Sequence, residues 1–148
     1  MQVRMKTMRV FLSHTSDMAQ FPEGRPFVQA ALDAVGRARM VPVDMRYFAA
    51  RDGGPADYCR QQVRACDVYV AIVGFRYGSV VAGEGVSYTE SEFLAASEAG
   101  LPRLVFLLAE SARWPELPDA DIGPAEEFRK RLSRAGLLVR EFTWVQLS

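Results

Sequence analysis

The feature that most constrains the fold is the segment from Asp67 to Gly74, in which Val68-Tyr69-Val70-Ala71-Ile72-Val73 runs without a charged side chain. A strand with one wet face alternates apolar and polar residues, whereas an unbroken apolar run is what a strand covered on both faces requires. Such strands occupy the middle of parallel sheets, and parallel neighbours need helical crossovers. The rest of the chain should therefore supply alternating strands and helices.

It does. Arg9-Val10-Phe11-Leu12-Ser13 reads as a first strand ending in the turn-formers His14-Thr15-Ser16-Asp17. Phe27, Val28, Ala31, Leu32 and Val35 recur at helical spacing, with Gly36 as the expected stop. Arg39 to Val43 reads as a second strand, and Pro42, lacking an N–H, favours an edge position. Pro55 or Ala56 to Ala65 is a second helix. After the central strand comes a long Gly-rich loop, Phe75 to Gly85. A third helix starts at Ser87 and runs to Ala99 before Gly100, and Arg103 to Leu108 is a fourth strand. Trp114 to Pro118 reads as a loop, a last helix opens at Pro124, and Leu137 to Phe142 is a fifth strand. This order calls for a three-layer α/β/α sandwich with a five-stranded, mostly parallel sheet. Sites in such sheets open at the strand C-termini beside the switch in strand order, here the loops after Ser13, Val43 and Gly74.

At 148 residues the chain is one domain, residues 1–148, with residues 1–7 expected as a flexible N-terminus. Its apolar C-terminal stretch, Thr143 to Ser148, reads as though partner domains followed it. The formal net charge is zero, which argues against nucleic acid as a partner. No apolar run approaches the ~20 residues of a membrane span, and no secretory leader is visible, so a cytoplasmic location is expected. Cys59 and Cys66 stand seven apart beside a single histidine in the chain, a pattern that suits two free thiols and no metal site. There is no P-loop, GxGxxG or GxSxG motif.

Ser87-Tyr88-Thr89-Glu90 fits a capping box, in which Ser87 caps the helix and the Glu90 carboxylate returns to the Ser87 N–H. Glu90 and Glu92 lie two apart, so they leave a helix on roughly opposite faces. The bland reading of Glu92 is a solvated helix carboxylate. Arg76 pairs with Asp17 or Glu84 in the corresponding reading of its loop, and His14 is a loop hydrogen-bonder.

Val10-Phe11-Leu12-Ser13-His14-Thr15-Ser16-Asp17 resembles the first strand and loop of Toll/interleukin receptor (TIR) domains. Arg51-Asp52-Gly53-Gly54-Pro55 stands where those domains carry an Arg-Asp-x-x-Pro-Gly loop, though no Gly follows Pro55. Gly74-Phe75-Arg76-Tyr77-Gly78-Ser79 with Ser87-Tyr88-Thr89-Glu90-Ser91-Glu92-Phe93 is similar to TIR-like domains of unknown function found beside NACHT, TPR and WD40 modules. The resemblance covers about the whole chain.

The resemblance implies a flavodoxin-like/TIR-like fold and an enzyme that cleaves NAD, as glycohydrolase or cyclase, in a signalling or defence protein active on clustering. Tyr88-Thr89-x-x-Glu92-Phe93 can be laid on the TIR pattern Trp-Cys-x-x-Glu-Leu, which makes Glu92 the implied catalytic residue and Glu90 the runner-up. Breaking the bond between nicotinamide and ribose develops an oxocarbenium ion, and a carboxylate answers that charge. Ser13, His14 and Arg76 are candidates for the diphosphate, Tyr77 and Tyr88 for stacking on a base, and Ser87 for the same substrate site. The Arg51, Asp52, Gly53, Gly54, Pro55 loop is the candidate for homotypic assembly. NAD is here the substrate, and no cofactor is implied. Two alternatives stay open: a non-catalytic adaptor, and a base-exchange enzyme like the nucleoside deoxyribosyltransferases.

Overall fold

A computed structural model of the chain describes residues 6–45, 56–112, 119–135 and 138–143. Five parallel strands, β1 (Arg9–His14), β2 (Val41–Asp44), β3 (Val68–Val73), β4 (Arg103–Leu108) and β5 (Leu138–Phe142), form one sheet in the order β2-β1-β3-β4-β5. Among the described residues the α-helices are α1 (Phe27–Arg37), α2 (Ala56–Arg64), α3 (Tyr88–Glu98) and α4 (Asp119–Arg134), and a short 3-10 helix, Ser16–Ala19, follows β1.

The order fixes the layers. The chain steps one way from β1 to β2 and the other way from then on, so right-handed crossovers put α1 on one face and α2, α3 and α4 on the other. The two apolar cores follow that division. Phe11, Tyr69, Ala71, Val73, Val105 and Leu107 face Cys59, Val63, Phe93, Ala96, Phe128 and Leu132 of α2 to α4. Val10, Leu12, Val70 and Ile72 face Phe27 and Val28 of α1 together with Met18 of the 3-10 helix. β3 is central and buried on both sides, as its composition requires.

β2 is an edge strand, paired only with β1, which accommodates Pro42. Several boundaries differ from expectation, among them β2, which runs Val41–Asp44 and not Arg39 to Val43. Gly36 lies inside α1, and the helix ends on Ala38, with Arg39 taking the left-handed conformation at φ 60°. β1 extends to His14, still in register with Ile72 of β3. α4 begins at Asp119, ahead of Pro124, which lies inside the helix. The expected 114–118 loop, the 51–55 assembly loop and the residues from 144 onward lie outside the described residues. No helix among the described residues is long and apolar enough to cross a membrane.

Candidate active site

The strand order reverses between β1 and β3, and α3 crosses the sheet over these two strands. Ser87 caps α3, its hydroxyl accepting from the Glu90 N–H at 3.1 Å. The helix carries buried polar residues along its first two turns, Thr89, Glu90, Ser91 and Glu92, so it is no ordinary amphipathic surface helix. The two carboxylates that compete for the site have separate fates.

Glu90 is structural. The Tyr77 hydroxyl donates to its Oε1 at 2.5 Å, and Arg131 of α4 grips it twice, Nη2 to Oε1 at 2.7 Å and Nε to Oε2 at 2.8 Å. The Ser87 N–H, which a reciprocal capping box would give to Glu90, goes to the Tyr77 hydroxyl at 3.1 Å. Tyr77 therefore relays the second half of the box, with its ring edge-on to Phe128. Buried and fully engaged, Tyr77 is not a surface for stacking a base, and Ser87, likewise buried, is a cap. Both depart from their expected substrate roles.

Glu92 turns to the other side. It is 7% exposed, and its Oε1 accepts from the Ser13 hydroxyl at 2.7 Å, across from the C-terminal end of β1. The thiol of Cys59 on α2 is a further hydrogen-bonding neighbour, and the buried Tyr69 ring lies on the same side of the sheet. Burial is the main reason the Glu92 carboxyl is pushed up to about 7 from 4.5, with the Asp44 charge adding to it. The Ser13 hydrogen bond, the His14 charge and the Cys59 thiol pull the other way. At neutral pH this carboxyl is thus divided between its two forms, whereas an exposed one would be ionised.

His14 is more than a loop hydrogen-bonder. It is the last residue of β1, and its Nε2 lies 2.9 Å from Oδ1 of Asp44, the last residue of β2, while Nδ1 lies 2.9 Å from the Thr15 carbonyl. Both side chains are almost wholly buried, at 4% and 6% exposure. With both ring nitrogens committed, His14 has none to offer a diphosphate. The first loop is also acidic: the buried Asp17 carboxylate takes the Thr15 hydroxyl on Oδ1, and its Oδ2 lies 3.7 Å from where a Cβ on Gly74 would be. Met18 packs so closely on Gly74 that this Cβ would fall 2.5 Å from its Cε.

Arg76 meets neither expected partner in the described contacts. Glu84 is held by Arg60, at 3.0 Å, and Arg60 also reaches Ser91 at 2.7 Å. The guanidinium that organises the loop after β3 is instead Arg129 of α4, stacked on Phe75 and donating to the carbonyls of Gly74 at 3.0 Å and Leu108 at 2.8 Å. Arg76 and Tyr88 are both half-buried. Asp44, Cys59, Tyr69 and Arg129 went unmarked as site neighbours in the sequence, because each is joined to the site only by strand register or helix packing. The 44–14 link alone could be anticipated, from the polar residue ending each of two adjacent strands.

A groove of about 330 Å³ lies between α4 and the ends of β4 and β5, with Leu107, Glu126, Arg129 and Glu141 in its walls. It includes neither Glu92 nor Ser13. Cys59 and Cys66 are free, buried thiols, and burial pushes both up, Cys59 to about 11, so neither is a reactive thiolate near neutral pH. No group of side chains among the described residues is arranged to hold a metal ion.

Residues 9–146 match a family described as a domain of unknown function (DUF4062). Among solved structures, a CMP N-glycosidase from Clostridium botulinum, BcmB, is similar over 92% of this chain and 88% of its own, at 14% identity and a TM-score of 0.43. No curated protein matches the chain.

Proposed function

The chain belongs to the DUF4062 family, which carries no assigned activity, and from the site itself we propose an enzyme that cleaves the N-glycosidic bond of a nucleotide, with Glu92 as the reacting carboxylate and NAD as the substrate. The observation that carries this reading is a glutamate held out of water at the C-terminal edge of the sheet, 2.7 Å from a serine hydroxyl that orients it. A carboxylate in such surroundings acts on a nearby cation far more strongly than one in water.

In the proposed reaction the bond between the ribose C1′ and the pyridinium nitrogen breaks, and its electron pair returns the ring to neutral nicotinamide. The developing charge on C1′ and the ring oxygen lies against ionised Glu92. Water then adds to C1′ and releases a proton, leaving ADP-ribose; a nucleophile within the same substrate would give a cyclic product. No acid is needed for this leaving group. Arg76 and Tyr88 are proposed to contact the substrate. Activity is proposed to depend on homotypic clustering and on partner domains of a longer protein, as in the signalling and defence proteins that the sequence resembles.

One observation favours a second reading, hydrolysis or exchange of a neutral nucleobase. Such a base leaves poorly until protonated, and a carboxyl lifted to about 7 still has a proton to give near neutral pH. The two readings have opposite pH dependence. Loss of nicotinamide requires the carboxylate and rises with pH through about 7, whereas loss of a neutral base that takes its proton from Glu92 falls there. The test is base release from NAD, nicotinamide riboside, cytidine monophosphate and deoxynucleosides, by concentrated or surface-clustered protein, with Glu92→Gln as control. Release of nicotinamide by the wild type alone, rising through neutral pH, supports the NAD reading. Release of a neutral base, falling over that range, replaces it with the second. No release from any substrate, or equal release by the variant, removes Glu92 chemistry and leaves an adaptor module.

A further inference from the structure

His14 has both ring nitrogens on oxygen acceptors while nearly all of its side chain is out of water. The Thr15 carbonyl can only accept, so Nδ1 must carry a hydrogen. On the other side Nε2 meets a carboxylate oxygen of Asp44, which in its ionised form also only accepts. With Asp44 ionised, two acceptors at 2.9 Å call for two N–H groups, and an imidazole with two is a cation.

We propose that His14 is a permanent buried imidazolium at neutral pH, a positioning residue that ties the end of edge strand β2 to β1 and biases the ionisation of Glu92 without itself exchanging a proton with substrate. The groups facing His14 are Asp44 from β2, the Thr15 carbonyl from the turn after β1, and Glu92 from α3. Around Glu92 stand Ser13 and His14 from β1, Asp44 from β2, Cys59 from α2 and Tyr69 from β3. Burial alone would drive the imidazole neutral, but the Asp44 hydrogen bond and charge, the Thr15 carbonyl and the Glu92 charge together outweigh it and raise the histidine. A cation fixed in this way cannot act as a base or take up an anion from solution. What it can do is favour the ionised form of the neighbouring carboxyl, opposing the burial that lifts it.

This inference concerns the same site as the proposed activity but does not depend on base release, because the protonation of His14 can be read on the resting protein. His14 is the single histidine in the chain, so its ring resonances are unambiguous. The experiment is nitrogen-15 NMR of the histidine ring across pH 5–9 in the wild type, Asp44→Asn and Glu92→Gln. The expected result is two protonated nitrogens at pH 7 in the wild type. The titration midpoint should fall in Asp44→Asn, and fall by less in Glu92→Gln, since coupling between two charges is reciprocal. A single protonated nitrogen at pH 7 in the wild type overturns the fixed cation. A midpoint unmoved by Glu92→Gln overturns the bias on Glu92. Should Asp44→Asn fail to fold, the wild type and Glu92→Gln decide both points.

Discussion

Glu92 and His14 both bind protons more tightly in the folded chain than their ordinary values allow, Glu92 mainly through burial and His14 because its acceptors outweigh burial. For each group the native state holds a proton that the unfolded chain has released, so stability falls as pH rises. The Glu92 share is complete below its unfolded value of 4.5 and lost by the time pH passes about 7. A shift of that size amounts to about 3 kcal/mol for a fully buried carboxyl. The His14 share is present below 6.5 and lost through its raised folded value. Asp33, held low by Gln29 and Arg25, and Asp67, held low by the Arg9 N–H and Lys6, act with opposite sign and only in more acid solution. Thermal unfolding should therefore occur at a lower temperature at pH 8 than at pH 5, and Glu92→Gln should flatten that decline. A midpoint that rises from pH 5 to 8 in the wild type would contradict the buried-carboxyl account. Ser13→Ala removes a hydrogen bond that favours the ionised form of Glu92, so the pH midpoint of any nicotinamide-releasing activity should move above about 7. An unmoved midpoint would mean that Ser13 does not orient the reacting group.

At the scale of elements, α3 is set by its ties to neighbours more than by its own composition. Tyr77 joins the Ser87 N–H to Glu90, and Arg131 joins Glu90 to α4, so the loop after β3 and two helices share one polar link, buried at Tyr77, Ser87 and Glu90 and open to solvent at Arg131. Tyr77→Phe strands the Ser87 N–H and removes a donor from a charged acceptor, which should cost about 1–3 kcal/mol in urea unfolding. A loss below 0.5 kcal/mol, roughly the low end of a net hydrogen bond, would show that water replaces the hydroxyl without penalty. The loops at the strand ends are packed just as closely. Gly78 has φ +87°, and a Cβ there would lie 2.9 Å from Thr15 Cγ2, so Gly78→Ala adds backbone strain to a clash between the first and third loops. It should destabilise by more than 1 kcal/mol, roughly the scale of left-handed strain in a residue bearing a Cβ, and equal stability would contradict the geometry. The strands and helix cores were legible in the sequence because apolar runs and helical spacing report burial directly. Helix ends were less so: Gly36 offered a stop that α1 did not take, and Pro124 offered a start that α4 preceded. Both are cases in which packing outweighed local preference.

Across the whole molecule, the reversal of strand order after β1 brings the ends of β1, β2 and β3 together, and α3 lies over β1 and β3. The alternation of helices and strands made the parallel three-layer sheet readable, and with it the C-terminal edge where sites open, but not the strand order. The Tyr88 to Phe93 segment made Glu92 legible as a candidate through resemblance alone, and its catalytic part stands as a proposal. The surroundings of Glu92 were not legible, since Asp44, Cys59 and Tyr69 reach it through register and packing that one sequence does not encode locally. Arg76 is the cation that the Gly-rich loop itself offers, yet Arg129, from a helix more than fifty residues later, holds the carbonyl ends of β3 and β4. The account rests on a carboxylate that meets a sugar cation. Its most direct test is the rate of nicotinamide release from NAD at pH 8 by clustered wild type and by Glu92→Gln at equal folded concentration. The account expects the variant to be slower by about 10²–10³; equal rates, or no release by either, would contradict it.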